Sequence, residues 1–141
     1  MRKALLSAAL LFLFASSPVF AEVRTVSGLT IDVPDGWTLT EKGPKSVVVA
    51  TPDKTRSVVV TIMPAQGTPE AYATALAKKL GAEDEPDYDE DGYYTFTYPG
   101  KDRSEILCVF AYDANEFSLF LITGEYDDTV ENIMESVSSV E

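Results

Sequence analysis

Histidine is absent from all 141 residues, and cysteine occurs once, at Cys108. Without an imidazole there is no Ser-His-Asp or Cys-His relay, and the usual zinc, iron and copper sites lose their main ligand. A single cysteine excludes an internal disulfide. It stands in Ile106-Leu107-Cys108-Val109-Phe110, a run that reads as an interior strand, where a thiol behaves as a small inert hydrophobe. Cations are scarce too: 11 Lys and Arg stand against 23 Asp and Glu, a net charge of −12. A surface of that sign repels phosphate backbones and anionic lipid, which argues against nucleic acid and leaves a cationic protein patch or a divalent ion as partner.

The chain begins MRKALLSAALLFLFASSPVFA. Arg2 and Lys3, an apolar run from Ala4 to Ala15, a Ser-Ser-Pro break and the small-residue end at Ala21 form the pattern of a secretory leader cleaved after Ala21. Its apolar core of about a dozen residues is too short for a bilayer about 30 Å thick, so it predicts no retained anchor. No cysteine follows the cleavage point to carry a lipid. Removing residues 1–21 leaves 120 residues, with nine cations against 23 acids and a net charge of −14. The expected organisation is a leader over 1–21 and one domain over 22–141, periplasmic or secreted. A domain of this size buries a sizeable core unaided.

Period-two patterning from Glu22 to Val33, interrupted at Gly28, predicts two short strands or one bent strand. Pro34-Asp35-Gly36 is a turn, and Trp37 to Thr40 resumes the extended run. After Gly43-Pro44 come Ser46 to Thr51 and Ser57 to Met63. Both are continuously β-branched, which predicts strands covered on both faces. Tyr93–Tyr98, Ser104–Tyr112 and Glu116–Thr123, separated by turns at 99–102 and 113–115, predict an antiparallel meander.

Two helices are expected to supply the covering. In the first, Thr68 caps, Pro69 opens, Lys78 and Lys79 close and Gly81 stops the helix, with Tyr72, Ala75, Leu76 and Leu80 on one face. The second is expected to follow Asp127-Asp128, with Asp128 and Glu131 as a capping-box-like pair, and to bury Val130, Ile133, Met134, Val137 and Val140. The fold class is therefore α+β, an antiparallel sheet of about six to eight strands sandwiched between helices.

One stretch carries a candidate chemistry. Between Glu83 and Asp91 all but Pro86 and Tyr88 are carboxylates. Asp87, Asp89, Asp91 and Gly92 match positions one, three, five and six of a calcium loop, which also needs a bidentate glutamate at position twelve. That position is Tyr98, and the residues between alternate like a strand. Asp91-Gly92 ahead of alternating aromatics is also a hairpin signal, so a solvated turn is the favoured reading, with weak Ca²⁺ binding over 83–91 or an acidic docking patch as alternatives. Tyr94, Phe96 and Tyr98 share a strand face and read as core. Lys42, Lys45, Lys54 and Arg56 flank opposite ends of a strand and form no single basic patch. A carboxylate-based enzyme is a further alternative, although no spacing singles out a pair. No residue is assigned as catalytic, cofactor-binding or metal-ligating.

The order of elements, with "IDVPDGW" at Ile31 to Trp37 and the closing "TVENIMESVSSVE" at Thr129 to Glu141, resembles the PsbP-like domains, which include DcrB-like exported proteins and a Ran-binding nuclear import factor. The resemblance implies a sheet between helices and a non-enzymatic accessory role, docking to a larger envelope assembly without a shared active site or cofactor. The chain departs from DcrB-like lipoproteins in lacking their anchoring cysteine, and from some photosystem members in lacking metal-binding histidines.

Overall fold

A computed structural model describes residues 21–90, 92–100, 105–113 and 115–139. Residues 1–20 of the leader expected over 1–21 thus lie outside the described residues, as do Asp91, Val140 and parts of the two meander turns. Among the described residues no helix is long and apolar enough to cross a membrane.

The chain opens with a hairpin of β1 (Ala21–Val26) and β2 (Leu29–Pro34), closed by Ser27 and Gly28, which both take positive φ. Then follow β3 (Thr38–Gly43), β4 (Ser46–Ala50) and β5 (Ser57–Pro64). After α1 (Pro69–Leu80) come β6 (Asp87–Tyr88), β7 (Tyr93–Pro99), β8 (Glu105–Asp113) and β9 (Glu116–Thr123), then α2 (Asp128–Ser136) and β10 (Ser138–Ser139). Seven strands form one sheet in the order β3-β4-β5-β9-β8-β7-β6, and β1-β2-β10 form a second. Every pairing is antiparallel. The α+β sandwich expected from the sequence is therefore the architecture.

The helices lie on opposite faces of the large sheet. Leu29 and Ile31 of β2 join Val130 and Ile133 of α2 over Val47, Val49, Val58 and Val60. On the other face Ala73 of α1 meets Phe110 and Phe117, and Ala77 meets Phe96, Tyr98 and Cys108. Tyr72 stacks at 5.3 Å on Phe110, which is edge-on to Phe117 at 4.8 Å.

The valine strands depart from the expected two-sided burial. Val47, Val49, Val58 and Val60 are fully buried, whereas Val48 and Val59 on the opposite face are half-buried and join none of the core clusters. The reason is width. A helix is about 10–12 Å across and strands sit about 4.8 Å apart, so α1 shields two or three strands of seven. It settles over β7–β9, where the aromatic side chains are, and reaches β5 where Tyr72 meets Met63, leaving Val48 and Val59 without a helix over them.

Both helices differ in detail from the pattern. Thr68 accepts a hydrogen bond from the Ala71 amide and Gly81 ends α1 at φ +90°, as expected, but Ala73 and Ala77 face inward while Ala75 is exposed. The N-cap of α2 is Asp127, which accepts from the Val130 amide, and Asp128 is already helical. That helix also stops early. Ser136 donates to the Ile133 carbonyl and accepts from the Asp32 amide, after which the chain extends into β10 beside β2.

Candidate functional site

The described part of the acidic stretch runs into a hairpin, and Asp91, the fifth position of the calcium-loop pattern, lies outside the described residues. Asp87 and Tyr88 are β6, paired with Thr95 and Tyr94 at the sheet edge. Asp89 closes the turn: its amide donates to the Tyr93 carbonyl at 2.9 Å, and its Oδ1 accepts from the Tyr93 amide at 3.0 Å. Gly92 takes φ +94° there. Earlier in the stretch Glu83 and Asp84 line a hollow of about 230 Å³ with Glu105 of β8. Among the described residues no group of three or more carboxylates or thiols is arranged to hold a metal ion.

The other sequence candidates have structural places. Phe96 and Tyr98 are buried and Tyr94 half-buried beneath α1. Cys108 is fully buried, and desolvation pushes its thiol up to about 12, so no thiolate forms near neutral pH. Lys45 pairs with Glu116 at 3.4 Å and donates to the Ser139 hydroxyl at 2.7 Å. Arg56 pairs with Asp127 at 2.7 Å and lies 5.2 Å from the Trp37 ring. These two cations hold elements together and form no common patch.

A site absent from the sequence reading lies on the α2 side of the sheet. Because strand side chains alternate, Tyr93, Thr95, Leu107 and Val109 point toward that face. The small sheet and α2 cover the β3–β5 side of it, leaving a cleft of about 470 Å³ beside α2 over β7 and β8. Leu107, Val109 and Met134 make its apolar floor, and Tyr93 and Tyr126 its aromatic walls. Asp89, Glu131 and Glu135 supply carboxylates at the rim. The hydroxyl of Tyr126 donates to Glu131 at 3.4 Å. Partial desolvation raises the Tyr126 pKa above its ordinary value, and the charge of Glu131 and the bond to it raise it further. The phenol is therefore a neutral donor throughout the physiological range. Three elements contribute to the cleft, so no contiguous motif announces it.

No family model matches the chain, and no curated protein does. Solved structures do. CyanoP, the cyanobacterial PsbP of Synechocystis sp. PCC 6803, superposes with a TM-score of 0.53 at 13% identity, over 90% of this chain and 96% of that one. A crystal structure from Bacteroides thetaiotaomicron VPI-5482 gives 0.53 at 13% identity over 81% of this chain. The match spans 46% of the Bacteroides protein, less than half its length. The fold is PsbP-like, as the element order implied.

Proposed function

We propose that this PsbP-like chain is an exported, non-enzymatic accessory domain that docks onto a larger protein assembly of the cell envelope. The observation that carries the reading is the cleft beside α2, where Leu107, Tyr93 and Tyr126 stay partly exposed above buried Val109 and Met134 and carboxylates stand at the edge. An apolar centre within a polar rim is the anatomy of a protein contact surface. The leader-like residues 1–21 and the charge of −14 that follows them support export and a basic partner surface.

A photo-reactive phenylalanine analogue placed at position 126 tests the docking in the native host. Irradiation is expected to give one discrete adduct with an envelope protein, weakened at high salt; a folded variant with no adduct would overturn the reading. Mass spectrometry of the chain from the envelope fraction should find Glu22 at its N-terminus. An intact leader in the cytoplasm refutes export.

A further inference from the structure

The partner's contribution to this cleft has a definite chemistry. We infer that the cleft beside α2 takes a cationic side chain of the partner, an arginine in an otherwise apolar segment; this rests on the docking reading above.

Four observations converge on it. Glu131 and Glu135 lie one turn apart on α2, a like-charge spacing that weakens a helix. Glu135 is also in the last turn, where the helix carbonyls already present partial negative charge, and no basic residue stands there to offset it. None of the three ion pairs among the described residues uses Glu131 or Glu135. Glu131 has the favourable field of the first turn and the Tyr126 hydroxyl, whereas Glu135 has neither, so the charge of Glu135 carries a cost in the free protein that an incoming cation removes. The lining selects among cations. The described residues show no arrangement of carboxylates for a bare metal ion. Leu107, Val109 and Met134 instead offer an apolar bed for an alkyl stem, which arginine and lysine lay on such surfaces while their charged heads stay wet. Tyr93 and Tyr126 present rings that a planar guanidinium stacks on better than an ammonium does, and the two glutamates accept its forked donors.

The test uses an acetylated, amidated Gly-Leu-Arg-Leu-Gly peptide, with lysine, citrulline or glutamate replacing arginine. Binding to the mature chain is followed by amide chemical shifts. Arginine should perturb Tyr93, Val109 and Met134, with lysine several-fold weaker and citrulline and glutamate at least tenfold weaker. Glu131→Gln with Glu135→Gln should weaken arginine binding at least tenfold. Glu83→Gln with Asp84→Gln, the same charge change elsewhere, should alter it less than twofold. Equal binding of citrulline, equal loss in both double variants, or shifts mapping away from the cleft would each overturn the inference. The outcomes separate from those of the docking reading: an adduct at position 126 that survives Glu131→Gln with Glu135→Gln leaves docking standing and removes the cation.

Discussion

Asp127 is the residue on which most local structure converges. Its Oδ1 accepts from the Val130 amide at 3.2 Å and from Arg56 at 2.7 Å, so one carboxylate caps α2 and fastens that helix to the arginine that follows the β4–β5 turn. Burial tends to raise its pKa, but the Val130 amide and the Arg56 guanidinium together outweigh this and hold it below the ordinary value of 3.8. Asp127→Ala should cost about 1–2 kcal/mol, the range for a lost N-cap, in a urea melt at pH 7. Asp127→Asn keeps an acceptor and should cost less. The pH dependence has a fixed sign. A carboxylate whose folded pKa is depressed adds stability that is complete above the unfolded value and lost as pH falls through the folded one. The gap between wild type and Asp127→Asn should accordingly close below about pH 3.8; a gap that stays constant down to pH 2 would mean the charge contributes nothing. Gly124 makes a second residue-scale case. At φ +90°, a Cβ there would sit 2.7 Å from the Thr55 carbonyl oxygen. Gly124→Ala should lose about 1–2 kcal/mol from the left-handed backbone alone, before the clash with backbone is added. Thermal unfolding within about 2 °C of wild type would contradict the close approach.

At the scale of elements, what could be read in advance depended on how local the cause was. Thr68, Pro69 and Gly81 fix the ends of α1 through neighbours within a few residues, and the structure places all three as read. For α2, Asp127 and Asp128 offer the same acceptor one position apart. The choice falls to Asp127, the one that also reaches Arg56, 71 residues away in sequence. The end of α2 was misread because Val137 and Val140 extend a helical spacing, while the strand pairing that competes with it comes from β2, more than 100 residues earlier. The cleft was illegible for the same reason: Asp89, Tyr93, Tyr126 and Glu131 meet only after β7, β8 and α2 have packed. If Glu135 is held at a cost, replacing it should stabilise the isolated domain. Glu135→Lys puts a cation in the last turn and a favourable partner one turn after Glu131, worth about 0.5–1 kcal/mol in a thermal melt. A destabilised Glu135→Lys would show that the glutamate is satisfied in the free protein.

For the whole molecule the dominant quantity is net charge, −12 for the full chain. Like charges at this density repel across the surface and oppose the compact state. Screening weakens that repulsion: the Debye length falls from about 30 Å at 0.01 M salt to about 8 Å at 0.15 M. Melting temperature should therefore climb between those conditions and flatten beyond them. Calcium gives the same rise by screening alone, so ionic strength must be matched before a site is inferred. A specific site adds stability that grows with the logarithm of free ion above its Kd, because the ion binds only the folded state. The β6–β7 hairpin directs Asp89 into its own turn, bonding the Tyr93 amide, where a calcium loop would turn that carboxylate toward the ion. Millimolar calcium and sodium chloride at equal ionic strength should thus give melting temperatures within about 1 °C of each other. A calcium-specific rise, abolished by Asp87→Asn with Asp89→Asn, would reinstate the metal site that the hairpin geometry argues against.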